Sequence, residues 1–287
     1  MMPPSQPTLD ALLPADIAVR AEEIGVKKAG LDTLSTLMLG VLAGAFIALG
    51  AIFATTVAAG AAGSLPFGVV RLLSGLVFSL GLVLVIVGGA ELFTGNNLIV
   101  MAWTSRRVST VQLLRNWLLV YAGNFVGAIG TAVLLFASGQ YQFGRGAVGL
   151  TALEIANAKV HLGFVQAVAL GVLCNALVCL AVWLSYSGRS TTDKILAIVG
   201  PITAFVAAGF EHSIANMYFL PIGLLIRAGA PDSFWTAIGK TADDYSELTW
   251  INVVFANLAP VTLGNILGGA LLVGLVYWFV YLRKKGT

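Results

Sequence analysis

Eight stretches of this chain, residues 33 to 70, 72 to 90, 92 to 105, 116 to 144, 162 to 188, 195 to 210, 213 to 226 and 248 to 282, carry no charged side chain. A helix needs about 20 apolar residues to cross a bilayer, and lipid-exposed backbone there has no water to bond, so such runs restrict the chain to membrane-spanning helices. Four of the runs are long enough alone. The other four pair across Glu91 and Glu211 into 72 to 105 and 195 to 226, each too long for one straight span and interrupted in its middle. Composition agrees, with 58% of residues hydrophobic and 10% charged, against roughly 25% charged in an average soluble domain. The chain therefore reads as an all-α integral membrane protein of six spans, the second and fifth broken.

A carboxylate embedded in lipid is costly and usually faces a bundle interior or a water-filled path. Here there are two, in related frames 120 positions apart: Gly89-Ala90-Glu91 with Asn96, and Gly209-Phe210-Glu211 with Asn216. Further pieces repeat in order. Leu39-Gly40-Val41-Leu42-Ala43-Gly44-Ala45 returns as Leu170-Gly171-Val172-Leu173-Cys174-Asn175-Ala176, and Gly123-Asn124-x-x-Gly127 returns as Gly264-Asn265-x-x-Gly268. The membrane domain, 33 to 282, divides into units of about 33 to 137 and 162 to 282. Three crossings per unit force the second to enter from the opposite face, so the expected repeat is inverted, with a site near the midplane between broken helices.

Basic residues near span ends mark the cytoplasmic side. Arg20, Lys27, Lys28, Arg106, Arg107, Arg115, Arg189, Lys194, Arg283, Lys284 and Lys285 fall on one face, and only Arg71, Arg145, Lys159, Arg227 and Lys240 on the other. Both termini are expected in the cytoplasm of a cell with the protein in its inner membrane: an N-terminal segment, 1 to 32, amphipathic over 10 to 29, and a tail, 283 to 287. The first 30 residues lack the apolar core of a cleavable signal.

Several chemistries are excluded. Gly239-Lys240-Thr241 lacks the first glycine of a phosphate-binding loop, where Phe234 stands. Cys174 and Cys179 lie five apart on one helix and point in different directions, as packing residues do. With two histidines in the chain, nothing points to a metal, and nothing to a cofactor or nucleic acid. An enzyme built on Glu91, Glu211 and His212 would lack a nucleophile, and a water or ammonia channel is disfavoured by the absence of an Asn-Pro-Ala pair. The Gly-x-x-x-Gly pairs Gly40/Gly44, Gly123/Gly127 and Gly264/Gly268 read as close helix contacts. Pro201 and Pro221 flank Glu211 and favour a break there.

Where a helix restarts in mid-membrane, its free amides and dipole favour a small anion. Thr94 to Asn97 and Ile214 to Met217 are the expected restarts, beside the Thr94 hydroxyl and the amides of Asn175 and Asn216. His212 is the group there able to exchange protons near neutral pH. Glu91 and Glu211 are expected to hold the broken backbone.

Ala90-Glu91-Leu92-Phe93-Thr94-Gly95-Asn96 and Gly209-Phe210-Glu211-His212-Ser213-Ile214-Ala215-Asn216-Met217 resemble the paired signatures of the formate/nitrite transporter family, over nearly the whole chain. Val182 to Ser190, Phe219 to Gly223 and Pro260 to Gly269 resemble its formate-conducting members, whereas Glu91 stands where those members tend to show aspartate, Gly95-Asn96 resembles nitrite and hydrosulfide members, and Cys174 resembles nitrite members. The resemblance implies an aquaporin-like protomer in a homopentamer, each with its own pore. By matching position it implies His212 as the central pore histidine, Thr94 as the threonine of the loop in the second span, Asn175 as a polar pore residue and Lys159 as the vestibule lysine. Phe78, Leu82, Leu92, Phe93, Val178 and Phe205 become apolar constrictions. The implied solute is formate, with nitrite or hydrosulfide as the alternative, permeating with protons through the bilayer.

Overall fold

The computed structural model describes residues 11–61 and 63–283. Lys284 and Lys285, used in the charge argument, lie outside them, as do residues 1 to 10 and the end of the tail. Among the described residues there are helices and no strands. Helix α1 (Pro14–Ala29) precedes α2 (Thr33–Ala58) and α3 (Phe67–Gly88). A second run follows as α4 (Phe93–Asn96), a 3-10 turn (Asn97–Ile99) and α5 (Val100–Thr104), then α6 (Thr110–Ala137). The order continues α7 (Ala147–Val160), α8 (Phe164–Ser187), α9 (Thr191–Ala208), α10 (Ser213–Gly229) and α11 (Asp232–Ile238). The last long run joins α12 (Trp250–Asn252) and α13 (Ala259–Ile266) with π-helical stretches that extend to Leu282.

Among the described residues, six helical segments are long and apolar enough to cross a membrane: α2, α3, α6, α8, α9 and the run within Ala242–Leu282. The protein is an integral membrane protein. Capping residues set the helix starts. Asp32 accepts from Ser35 N at 2.9 Å ahead of α2, and these bonds hold its carboxyl below the usual carboxylate range. Ser109 with Gln112 and Ser190 with Asp193 form capping boxes ahead of α6 and α9.

Helices α3 and α9 both stop at a left-handed glycine, Gly89 (φ 84°) and Gly209 (φ 78°), a conformation that costs any side-chain-bearing residue. Four residues later the chain is helical again, at Phe93 and Ser213. Both restarts come one residue earlier than expected from sequence.

The glycine pairs are where backbones touch. A Cβ on Gly40 of α2 would lie 3.2 Å from Gly123 Cα of α6, and one on Gly123 would lie 2.7 Å from Leu37 O. Gly171 of α8 meets Val261 O at 2.8 Å and Gly264 Cα at 3.2 Å in the same way. With no hydrophobic drive between helices in lipid, this close packing is the main source of cohesion. Helix α1 lies across the same end of the bundle as α5. Its Ile17, Ala18 and Ala21 are buried with Met101 and Trp183, and Glu22 pairs with Arg107 at 2.7 Å.

Candidate functional site

The two segments between helices are held by two sets of side chains that share the same pattern of contacts. At the first, Glu91 accepts from Lys28 Nζ at 2.9 Å and from Asn96 Nδ2 at 2.7 Å; Asn96 also donates to Asn116 Oδ1 at 2.9 Å, and Asn116 to Lys28 O at 3.1 Å. At the second, Glu211 accepts from Lys159 Nζ at 2.7 Å and from Asn216 Nδ2 at 2.6 Å; Asn216 donates to Asn257 Oδ1 at 2.7 Å, and Asn257 to Lys159 O at 3.0 Å. The backbone is clamped alike. Asn124 donates to Gly40 O and Glu91 O and accepts from Phe93 N, while Asn265 donates to Gly171 O and Glu211 O and accepts from Ser213 N. Each buried carboxylate thus has a cation and an amide donor, the condition under which a buried charge is tolerated.

Lys28, Asn116 and Asn257 were missed by sequence reasoning. The signal was present, since Lys28 and Lys159 are separated by 131 positions, the same spacing as Leu39 and Leu170. Helix α7 therefore stands to α8 as α1 stands to α2.

Helical backbone bonds and the His212 ring also spend amides expected to face an anion. Asn96 N bonds Leu92 O, Asn216 N bonds His212 O, and Ala215 N donates to His212 Nδ1 at 3.0 Å. His212 is the N-cap of α10, and Leu92 holds the equivalent position before α4, both with extended backbone. An Nδ1 that accepts from a backbone N–H carries no proton, so in this geometry the imidazole is neutral and its hydrogen sits on Nε2. That nitrogen lies 3.0 Å from Thr94 Oγ1. The histidine is 3% exposed and its ring stacks on Phe205 at 5.8 Å between centroids.

Two cavities approach this pair from opposite ends. One, about 330 Å³, is lined by Phe78, Arg71, Lys159, Phe205, Glu211, His212 and Asn216, and is walled in part by α7. The other, about 430 Å³, is lined by Leu82, Leu92, Gly95, Asn96, Glu91 and Lys28, and is walled in part by α1. Between them stand Phe78 and Leu82, one turn apart on α3, with Phe205 edge-on to Phe78 at 5.6 Å. Of the other sequence candidates, Phe93 and Val178 are buried but line neither cavity. Phe93 packs edge-on against Trp117 and Tyr121. Asn175 is also outside both linings; its amide lies 2.7 Å from Asn265 O, 2.9 Å from Asn97 Oδ1 and 3.3 Å from Thr94 O. It holds the segment that carries Thr94, as does Cys179, whose thiol is 3.3 Å from the same carbonyl.

Comparison with known proteins gives one consistent result. The family model described as formate/nitrite transporter matches residues 15–279. The chain is 51% identical over 276 residues to formate channel FocA of Escherichia coli (strain K12), covering 96% of each chain. It is 43% identical over 264 residues to formate channel FocA of Haemophilus influenzae, covering 92% of this chain and 93% of that one. Among solved structures it is similar to a pentameric formate channel with formate bound, with a TM-score of 0.83 and 45% identity over 88% of this chain and 98% of that one. It is also similar to an ion channel of the same family, with a TM-score of 0.77 and 29% identity over 92% and 98% of the respective chains.

Proposed function

The chain belongs to the formate/nitrite transporter family, and from that premise we propose that it is a homopentameric formate channel of the cytoplasmic membrane with one pore in each protomer. The observation that carries this reading is the pair of opposed cavities separated by Phe78, Leu82, Leu92 and Phe205, with His212 and Thr94 hydrogen-bonded at the constriction. In this reading α3 with α4–α5, and α9 with α10, are the two broken spans. The duplicated clamps at Glu91 and Glu211 relate two three-span units by an inverted repeat, and both termini face the cytoplasm. The family transports solutes, so Glu91 and Glu211 serve as scaffold rather than as catalytic acids.

The mechanism follows from dehydration. An anion entering the ring of Phe78, Leu82 and Phe205 sheds water, and an unpaired charge in such surroundings costs many kcal/mol. Entry as the neutral acid removes most of that cost. A carboxylic acid with a pKa near 3.9 is neutral in only about one molecule per thousand at pH 7, so the proton must be supplied locally. Lys159 and Arg71 attract the anion in one cavity. Lys159 keeps donor capacity beyond its bond to Glu211, because an ammonium has three hydrogens. At the constriction Thr94 Oγ1 and His212 Nε2–H offer hydrogen bonds. For His212 to deliver a proton and be recharged, Nδ1 must release Ala215 N, so relay is coupled to uncapping of α10.

The test is uptake of formate, nitrite and hydrosulfide into proteoliposomes at several pH values, with and without His212→Asn. Asparagine is itself a good N-cap, so the variant removes titration and leaves the helix start supported. Formate flux that rises as pH falls, accompanied by protons in the wild type only, is expected. A preference for nitrite or hydrosulfide would transfer selectivity to Gly95, Asn96 and Cys174, and absence of anion flux would overturn the reading.

A further inference from the structure

The two cavities differ in how their cations are used. In the α7-side cavity each cation already bonds the protein: Arg71 donates through Nη2 to Val206 O and through Nε to Ala207 O, and Lys159 donates to Glu211. The α1-side cavity has four cations in its wall, Arg20, Lys27, Lys28 and Lys194, against one carboxylate, Glu91. Lys28 is committed, bonded to Glu91 and Asn96 at 2.9 Å each. The ion pairs among the described residues include neither Arg20 nor Lys27 nor Lys194. Three cations on two helices, α1 and α9, therefore line one space without a counter-charge from the described protein.

We propose that this cavity is a binding site for a small polyanion carrying two or more phosphate groups. Its volume of about 430 Å³ lies within the range of ligand sites, about 300–1,000 Å³. Formate, one carbon and two oxygens, fills little of it and neutralises one cation of the three. A diphosphate carries charge enough to offset all three: the Arg20 fork suits one phosphate in bidentate geometry while Lys27 and Lys194 act as point charges. The Tyr186 hydroxyl in the same wall adds a donor. Leu82, Leu92 and Val182 close the apolar end of the cavity, where a charged group gains nothing. The polyanion thus stays at the mouth and plugs the path. The plugging rests on the transport reading above; the binding does not.

The experiment is calorimetric titration of the full-length protein in a neutral detergent with pyrophosphate, alongside formate flux in proteoliposomes of zwitterionic lipid with pyrophosphate on either side. Saturable binding of one pyrophosphate per protomer is expected, weakened at least tenfold by Lys27→Gln/Lys194→Gln and by raised salt, as charge contacts require. Flux should fall at least fivefold when pyrophosphate is on the α1 side and stay within twofold when it is on the other. Arg20→Lys should bind more weakly than wild type yet more tightly than Arg20→Gln. Absence of binding, or equal binding by the double variant, overturns the site. Binding with formate flux absent altogether would sink the transport reading and leave the site standing, whereas binding without one-sided block would overturn the plug.

Discussion

Glu211 is 5% exposed and Glu91 6%, and each depends on a lysine in the last turn of a helix, Lys159 of α7 and Lys28 of α1. Removing one partner of a buried ion pair costs about 3–5 kcal/mol because the other charge is left uncompensated. The two pairs differ in exposure, with Lys159 at 14% and Lys28 at 24% of side-chain area. Lys159→Met should therefore lower the melting temperature more than Lys28→Met, in thermal unfolding followed by intrinsic fluorescence. Adding Glu211→Gln to Lys159→Met should recover part of the loss, since no charge is then buried alone; a double variant less stable than either single would contradict the pairing. At His212 the geometry separates two roles. His212→Ala removes both cap and titratable group and should cost about 1 kcal/mol of stability beyond His212→Asn, with proton-coupled flux lost in both.

At the scale of helices, cohesion depends on how near two backbones come. A Cβ at Gly123 would press on Leu37 O at 2.7 Å, and one at Gly171 on Val261 O at 2.8 Å, whereas one at Gly130, on the same helix as Gly123, meets nothing within 4 Å. Gly130→Ala should be tolerated. Gly123→Ala and Gly171→Ala should each yield less folded protein and a lower melting temperature, because rigid backbone cannot yield as a flexible side chain does. Size-exclusion profiles of the three variants, purified in parallel, check this; equal behaviour would show that close approach of α2 to α6 and of α8 to α13 is not what holds each three-span unit together. The breaks obey a different rule. Leu92 and His212 occupy equivalent extended positions, so the same backbone presents an apolar group on one side of the constriction and a proton-bearing group on the other.

For the whole molecule, the proposed topology places the α8–α9 turn inside and α11 outside. Cys174 and Cys179 are fully buried and should give little background. Asp232→Cys should react with a membrane-impermeant maleimide in right-side-out vesicles, and Thr192→Cys only in inverted ones, both positions being exposed. The reverse pattern would invert the assignment of cytoplasmic and external cavities. Native mass spectrometry should find five copies of the 29.9 kDa chain in the particle.

The membrane class, the places where two helices stop and the role of the glycine pairs could be read from the chain because each is a one-dimensional pattern. Apolar length, a lone carboxylate inside an apolar run, and a motif repeated at fixed spacing need no knowledge of neighbours. The family resemblance came from the same local strings. Partnership did not, because it joins positions far apart: Lys28 reaches Glu91 over 63 residues and Asn257 reaches Lys159 over 98. Tertiary structure likewise decided that Phe93 turns to α6 while Leu92 faces a cavity, since consecutive residues around an extended position point to opposite sides. It set the His212 tautomer through the amide of Ala215, three residues on. A sequence specifies which groups must be satisfied in lipid; only the packed fold determines which of them satisfy one another and which remain free to meet a solute.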